Sequence, residues 1–322
     1  MEYLKNKQAI YVEKTIYRKT RASLIRGRLV SCRWLYFMLL PGVLFFIIFK
    51  YGPMLGLVIA FEDYQPYLGF LRSKWVGIAH FQRLFSEYAF VRLLRNTVIL
   101  GVCNIVFFFP VPVVVSLMLN EVRAVFCKRF VQTVIYIPHF LSWVVIASIT
   151  YTFFTIEGGV VNNVLVSMGM DKINPLLSAS WFRPMIVLQL IWKESGWGTI
   201  IILAAITGIN PDIYFSAEID GAGRWQKLWH ITLPSIRSTI VILLILRLSS
   251  FMEFGFEQVF LMMNAVNTEV GDIFDTYVYR TGIMGGQFSY TAAVGMFKSV
   301  VSLFLVFIAN SLSKRFGEEG IF

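Results

Sequence analysis

Apolar positions in this chain neither alternate nor form narrow stripes; they run on. Thr97 to Leu119 is a stretch of 23 residues without a charged side chain, and Val131 to Ile156 is another of 26. A helix needs about 20 mostly apolar residues to cross a bilayer. Backbone N–H and C=O groups find no water inside lipid, so such runs are expected to be helical, and the short alternation of a membrane barrel is absent. Four more runs carry few charges: 34–59 with Lys50, 184–208 with Lys193 and Glu194, 238–262 with Arg247, Glu253 and Glu257, and 289–312 with Lys298. With 97–119 and 132–155 they predict six crossings. The expected fold is all-α and polytopic, with a six-helix membrane domain over 34–312, a segment 1–33 before it and a tail 313–322 after it.

Composition supports this reading. The 322 residues are 57% hydrophobic and 15% charged, against roughly 45–50% and 25% for a soluble domain. A disordered chain and a plain soluble enzyme are excluded. Three cysteines and three histidines, scattered along the chain, supply neither a disulfide framework nor a zinc spacing. The net charge of +10 is distributed by side of the membrane. With the N-terminus inside, the inner pieces hold 17 Lys and Arg and the outer pieces 8, the bias of the positive-inside rule. Nine of the 17 lie in residues 1–33, with no small-residue cleavage site after the apolar run, so the first crossing is expected to be uncleaved and both termini cytoplasmic. The Arg123, Lys128 and Arg129 cluster then faces anionic headgroups on the inner side, and nucleic acid is not an expected partner.

Local signals add detail. Pro110 and Pro112 are expected to kink the second crossing and Pro138 the third. Trp75–Asn96 repeats apolar residues at helical intervals and predicts a short outer helix. His139 reads as a hydrogen-bonding residue rather than a metal ligand.

The loop 209–237 has the most defined shape. Asn210 is a sound N-cap and Pro211 fits the first helical position. Gly221 and Gly223 permit a sharp break, a second turn of helix follows over Arg224–His230, and Pro234 opens the next crossing. This is a compact helix–turn–helix tied to two crossings, or else a loop folded back on its own bundle.

The same stretch resembles the inner loop of the permease subunits of binding-protein-dependent ABC importers. Their pattern is Glu-Ala-Ala, three residues, Gly, nine residues, Ile, one residue, Leu-Pro. Ala217, Gly221, Ile231 and the pair Leu233-Pro234 fit at every spacing, and Asp220-Gly221-Ala222-Gly223 matches the sugar-permease form. Phe215 and Ser216 stand where the family has the glutamate and the first alanine; a phenyl ring there can fill an apolar pocket in place of a carboxylate contact. Asn96-Thr97 before the second crossing is similar to a family entry motif, and Phe254–Gln258, Asp275–Arg280 and Phe288–Gly295 look like the branch handling complex sugars, alginate among them.

The resemblance implies a cytoplasmic coupling helix in a groove of an ATPase subunit, carried by Phe215, Ser216, Ala217, Asp220, Gly221, Ile231, Leu233 and Pro234. It implies a second homologous permease, two ATPase subunits, an extracytoplasmic solute-binding protein and an oligosaccharide, in a bacterial inner membrane. The chain has no phosphate loop ending Gly-Lys-Ser/Thr, so no catalytic, cofactor or metal residue is assigned, and ATP and Mg²⁺ are expected on the partner ATPases. Intramembrane polar residues mark candidates for the substrate path: Gln189, Trp192, Lys193, Glu253, Phe256, Glu257 and Gln258. Glu253 and Glu257, four apart, are expected on one helix face; internal pairing of Lys193 with either is the competing reading. A gradient-driven sugar transporter or a nontransporting scaffold are the alternative functions. The former would carry an internal inverted repeat, which the sequence lacks.

Overall fold

The computed structural model describes residues 32–253 and 255–315; the basic segment before Cys32, Phe254 and the tail after Arg315 lie outside the described residues. Two compact units divide at Val58 and Ile59. In the first, helix α1 (Arg33–Phe46) continues through a π turn at Ile47–Tyr51; the apolar span that begins at Arg33 runs 29 residues to Phe61, past that division.

The second unit opens with a two-residue antiparallel pair, β1 (Glu62–Asp63) and β2 (Lys74–Trp75), and is otherwise helical. Instead of one short helix, Trp75–Asn96 holds α2 (Ala79–Ser86) and the start of α3 (Tyr88–Cys103). Helix α3 continues through a π turn at Asn104–Phe108 into α4 (Pro110–Glu121), one span of 34 residues that begins earlier than the apolar run alone predicts. Leu84 and Leu93 are buried against Phe274, Tyr277, Tyr290 and Val294. The segment is thus part of the folded core.

The third crossing is not straight. Helix α5 (Val125–Tyr136) runs into a 3₁₀ turn at Ile137–Phe140, and α6 (Trp143–Phe154) restarts 104° away. Pro138 supplies the kink expected of it, and Ser142 caps the restart by accepting from the Val145 N–H at 3.3 Å. After α7 (Val160–Ser167) comes α8 (Ala179–Thr207), the unbroken 29-residue centre of the bundle. It buries Phe182, Met185, Ile186 and Leu190 against Leu100, Phe108, Val259 and Met262. Gly196 lets α8 approach α5 closely: a Cβ there would sit 2.1 Å from the Ile135 carbonyl oxygen.

The inner loop forms α9 (Pro211–Ile219) and α10 (Arg224–Lys227), with a π turn at Leu228–Thr232. The expected crossing 238–262 is corrected. Helix α11 (Arg237–Ser249) meets the stretch before it at 56° and stops. Turns at Phe251 and Glu253 follow, Gly255 takes φ +59°, and α12 (Phe256–Met262) starts anew. Glu253 and Glu257 therefore share no helix face. Short helices α13 (Thr268–Gly271) and α14 (Phe274–Val278) lead to α15 (Phe288–Arg315). Among the described residues four helices are long and apolar enough to cross a membrane, or six when each bent pair counts as one span.

Candidate coupling segment and membrane path

The coupling segment is built from local rules. Asn210 Oδ1 accepts from the Asp212 N–H at 3.0 Å, and Pro211 occupies the first turn. The end of α9 is a Schellman motif: Gly221 N–H donates to the Glu218 carbonyl at 3.0 Å and Ala222 N–H to the Ala217 carbonyl at 2.8 Å. Gly221 carries φ +78°, with open space around its missing side chain, so backbone conformation alone requires glycine. Gln226 Oε1 then accepts from Gly223 N–H at 2.7 Å and starts α10. Two side-chain ties join the halves: Tyr214 to Thr232 at 2.8 Å and Lys227 to Glu218 at 2.5 Å. The Lys227 ammonium holds the Glu218 carboxyl below the usual carboxylate range, by hydrogen bond first and by charge second.

Of the residues expected to couple, Phe215, Ser216, Asp220, Gly221 and Pro234 are exposed and Ala217, Ile231 and Leu233 half-buried. Phe215 is 61% exposed and Ile219, one turn on, 88%. Two large apolar side chains on one face are thus left uncovered by their own chain.

Inside the bundle the path candidates separate into two groups. Gln189 and Gln258 come together: Gln189 Nε2 donates to Thr150 Oγ1 at 2.7 Å, and Gln258 Nε2 donates to the Ile186 carbonyl at 2.8 Å and to Gln189 Oε1 at 3.0 Å. Gln258 Oε1 is buried and finds no donor among the described residues. Trp192, Glu253, Phe256 and Glu257 are exposed instead; Phe256 stacks on Phe260 and borders Tyr279.

Lys193 pairs with neither Glu253 nor Glu257. Its Nζ donates to the carbonyls of His139 and Leu141 at 2.7 and 2.8 Å and lies 3.5 Å from Glu194. These are carbonyls freed where the third crossing bends, so a buried ammonium caps the break. Glu194 also meets His139 Nδ1 at 3.0 Å, and His139 stacks on Trp197 at 4.8 Å. Beside this cluster lies a cavity of about 250 Å³ lined by Glu194, Trp197, Arg247, Ser250 and Phe108. Trp197 and Arg247 were not path candidates from sequence. An arginine within an apolar run was the available signal.

A third polar assembly was invisible in sequence. Asp272, fully buried, receives Arg280 at 2.7 Å, Arg92 at 3.6 Å and the Thr276 hydroxyl at 2.8 Å. Asn96 donates to the Glu269 and Asp272 carbonyls at 3.0 Å each and accepts from Arg183 at 2.9 Å. Glu87 accepts from Tyr277, at 2.9 Å, and from Tyr290; burial pushes the Tyr277 hydroxyl up, which keeps it a donor. Among the described residues no group of His, Cys, Asp or Glu is placed to hold a metal ion.

Comparisons with known proteins agree with this geometry. Residues 108–318 match the family described as binding-protein-dependent transport system inner membrane component. The chain is 53% identical over 315 residues, 98% of each chain, to the polygalacturonan/rhamnogalacturonan transport system permease protein YteP of Bacillus subtilis. It is 54% identical to protein LplB of the same organism, over 90% of this chain and 91% of that one. Its fold superposes with a TM-score of 0.85, at 40% identity and over 92% of this chain and 99% of that chain, on a chain of a bacterial alginate ABC transporter in complex with an alginate pentasaccharide-bound periplasmic protein. The family match, a shared fold and 53% identity over nearly the full length place this chain among the binding-protein-dependent transport system inner membrane components, as the permease, and not the ATPase, of an ABC importer.

Proposed function

We propose that this permease forms, with a second homologous permease, the path of an oligosaccharide or polysaccharide fragment through the bacterial cytoplasmic membrane. The observation that carries the mechanism is the Asn210–Pro234 segment, which presents Phe215 and Ile219 uncovered on a helix cross-tied to α10. An ATPase subunit covers that face on the cytoplasmic side, and Phe215 fills an apolar pocket there. Two such subunits hold ATP and Mg²⁺; this chain supplies no step of the hydrolysis. Because the segment joins Thr207 of α8 to Arg237 of α11, its movement displaces the inner ends of the fourth and fifth crossings together. Alternating access follows if the bundle has two packed states, one favoured by each ligand.

Along the path, Trp192 and Phe256 offer faces to the apolar sides of sugar rings, and Glu257 and Glu253 offer acceptors to hydroxyls. Gln189 and Gln258 hold the wall between them, and Lys193 fixes the bend beside it. An extracytoplasmic solute-binding protein delivers the sugar, and both termini face the cytoplasm. The carbohydrate reading is supported by the relatives, one bearing the name of a polygalacturonan transport system and another solved with an alginate-loaded periplasmic protein.

Reconstitution of the complete transporter tests this. Sugar accumulation in proteoliposomes should require ATP, the ATPase pair and the binding protein together. Robust uptake by this chain alone, or crosslinks placing Asn210–Pro234 on the extracytoplasmic side, would overturn it. Stronger ATPase attachment by Phe215→Glu would remove the pocket-filling role while leaving the transport assignment standing.

A further inference from the structure

Arg247 is the least expected residue of the membrane interior. It lies ten residues into the crossing from Arg237, which at about 1.5 Å per residue is roughly 15 Å, half the hydrocarbon thickness. A guanidinium at that depth is costly and calls for a partner. Its Nε donates to Asn104 Oδ1 at 2.8 Å and its plane lies 4.8 Å from the Phe108 ring centre. Among the described residues no carboxylate comes within ion-pair distance of it, whereas Arg92, Arg95 and Arg280 each have one. Asn104 is itself buried, so the fork is oriented from behind. What it lines is the cavity of about 250 Å³ shared with Glu194, Trp197 and Ser250.

Glu194 is the one carboxylate on that wall, and it is already engaged by His139 at 3.0 Å and Lys193 at 3.5 Å. Its charge is offset on its own side by these contacts, and it acts on Arg247 through charge across the cavity wall without an ion-pair contact. The cavity therefore presents an anchored guanidinium, the fork geometry suited to bidentate binding of a carboxylate, next to an indole suited to a sugar ring.

We infer that Arg247 is a specificity-determining residue that binds the carboxylate of a uronic-acid unit as it passes the middle of the membrane. The inference rests on the path proposed above and assigns to one residue the recognition of sugars with a carboxylate on the ring, a class to which the names of relatives already point. A neutral sugar leaves the guanidinium unpaired and gains nothing from it.

The experiment uses the complete transporter in proteoliposomes at saturating binding protein, with trigalacturonate and its fully methyl-esterified form as substrates. The readout is the ratio of the two uptake efficiencies, which cancels effects on assembly and on ATP turnover. Wild type should favour the free acid. Arg247→Gln should lower that preference about tenfold, the scale of a lost charge-assisted hydrogen-bond pair. Arg247→Lys, which keeps the charge and loses the fork, should fall between. Asn104→Ala, which keeps the guanidinium and loses its tether, should also lower the preference, and it decides the matter if the Arg247 variants do not assemble. An unchanged preference in Arg247→Gln, or in Asn104→Ala where that variant must decide, overturns the inference. Equal transport of acid and ester by wild type overturns it too and leaves the permease assignment intact. Uptake of neither substrate by wild type defeats the proposed path and the inference with it.

Discussion

The polar cluster around Asp272 and the segment around Gly221 are both rich in charge, and Asp272 and Gly221 both lie outside the long spans, yet the two are built on opposite terms. Around Asp272 the polar groups find partners within the chain, several of them more than 170 positions away: Arg92 and Asn96 from α3 reach Glu269 and Asp272, and Glu87 reaches Tyr277 and Tyr290. Around Gly221 the ties are short in sequence and few, Tyr214 to Thr232 and Glu218 to Lys227, and the large apolar side chains face outward. The first region closes on itself and fixes α3 against α14 and α15. The second holds its own shape and leaves its surface for another molecule. In the proposed mechanism the first is a rigid frame and the second a handle for the ATPase subunit.

Removing the centre of the closed region should produce the largest effect. Asp272→Ala leaves Arg92 and Arg280 without their shared carboxylate. Breaking a fully buried pair costs about 3–5 kcal/mol, but both arginines keep some exposure, so a loss of about 2–3 kcal/mol is expected, read as a clear drop in the thermal midpoint in detergent. Glu269→Ala, at a side chain 63% exposed, should cost below about 1 kcal/mol. Equal losses for the two would break the distinction between a buried centre and its rim.

The contrast also governs what was legible in advance. The coupling segment was readable because its determinants are local: an Asn-Pro start, a glycine at the one left-handed position, a proline at the far end. The long apolar runs were readable because lipid demands helices. The break after Ser249 was not, since Phe251, Met252 and Phe256 continue the apolar run while the chain turns at Gly255, so Glu253 and Glu257 were set on a face that does not exist. Pro138 announced a bend in the third crossing but not its 104°, nor that Lys193 would cap the carbonyls it frees. Thr276 and Arg280 reach Asp272 locally, but Arg92, Asn96 and Glu87 join the cluster by tertiary packing, which no spacing in the sequence records.

A second prediction sharpens the handle side. Gly221→Ala meets no steric obstacle, so its cost is conformational, about 1–2 kcal/mol for an L-residue held left-handed. The cost falls on the turn between α9 and α10. Sugar-stimulated ATP hydrolysis by the assembled complex should drop about tenfold, the equivalent of roughly 1.4 kcal/mol, while the Asp272 end keeps its stability. Gly221→Asn, better tolerated in that region, should recover part of the loss. A fall in coupling equally large for Gly223→Ala, where φ is −72°, would mean that small size and not handedness is what the turn requires.

The smallest effect expected is on the tie from Lys227 to Glu218, and it is one of pH. The ammonium holds the Glu218 carboxyl below its ordinary range, so the folded segment binds the proton less readily than an open one. The stabilisation is therefore complete above the ordinary carboxylate range and is lost as pH falls through the depressed value. Solvent screens so exposed a carboxylate, which keeps the effect on overall stability slight. Its place to show is the segment itself: backbone hydrogen exchange across Ala217–Lys227, measured on the intact permease, should quicken on acidification beyond the intrinsic rate change. Glu218→Gln should abolish that added pH dependence and raise exchange at neutral pH. The same acid sensitivity persisting in Glu218→Gln would assign it to another group and leave Tyr214 and Thr232 as the tie that holds α9 to α10.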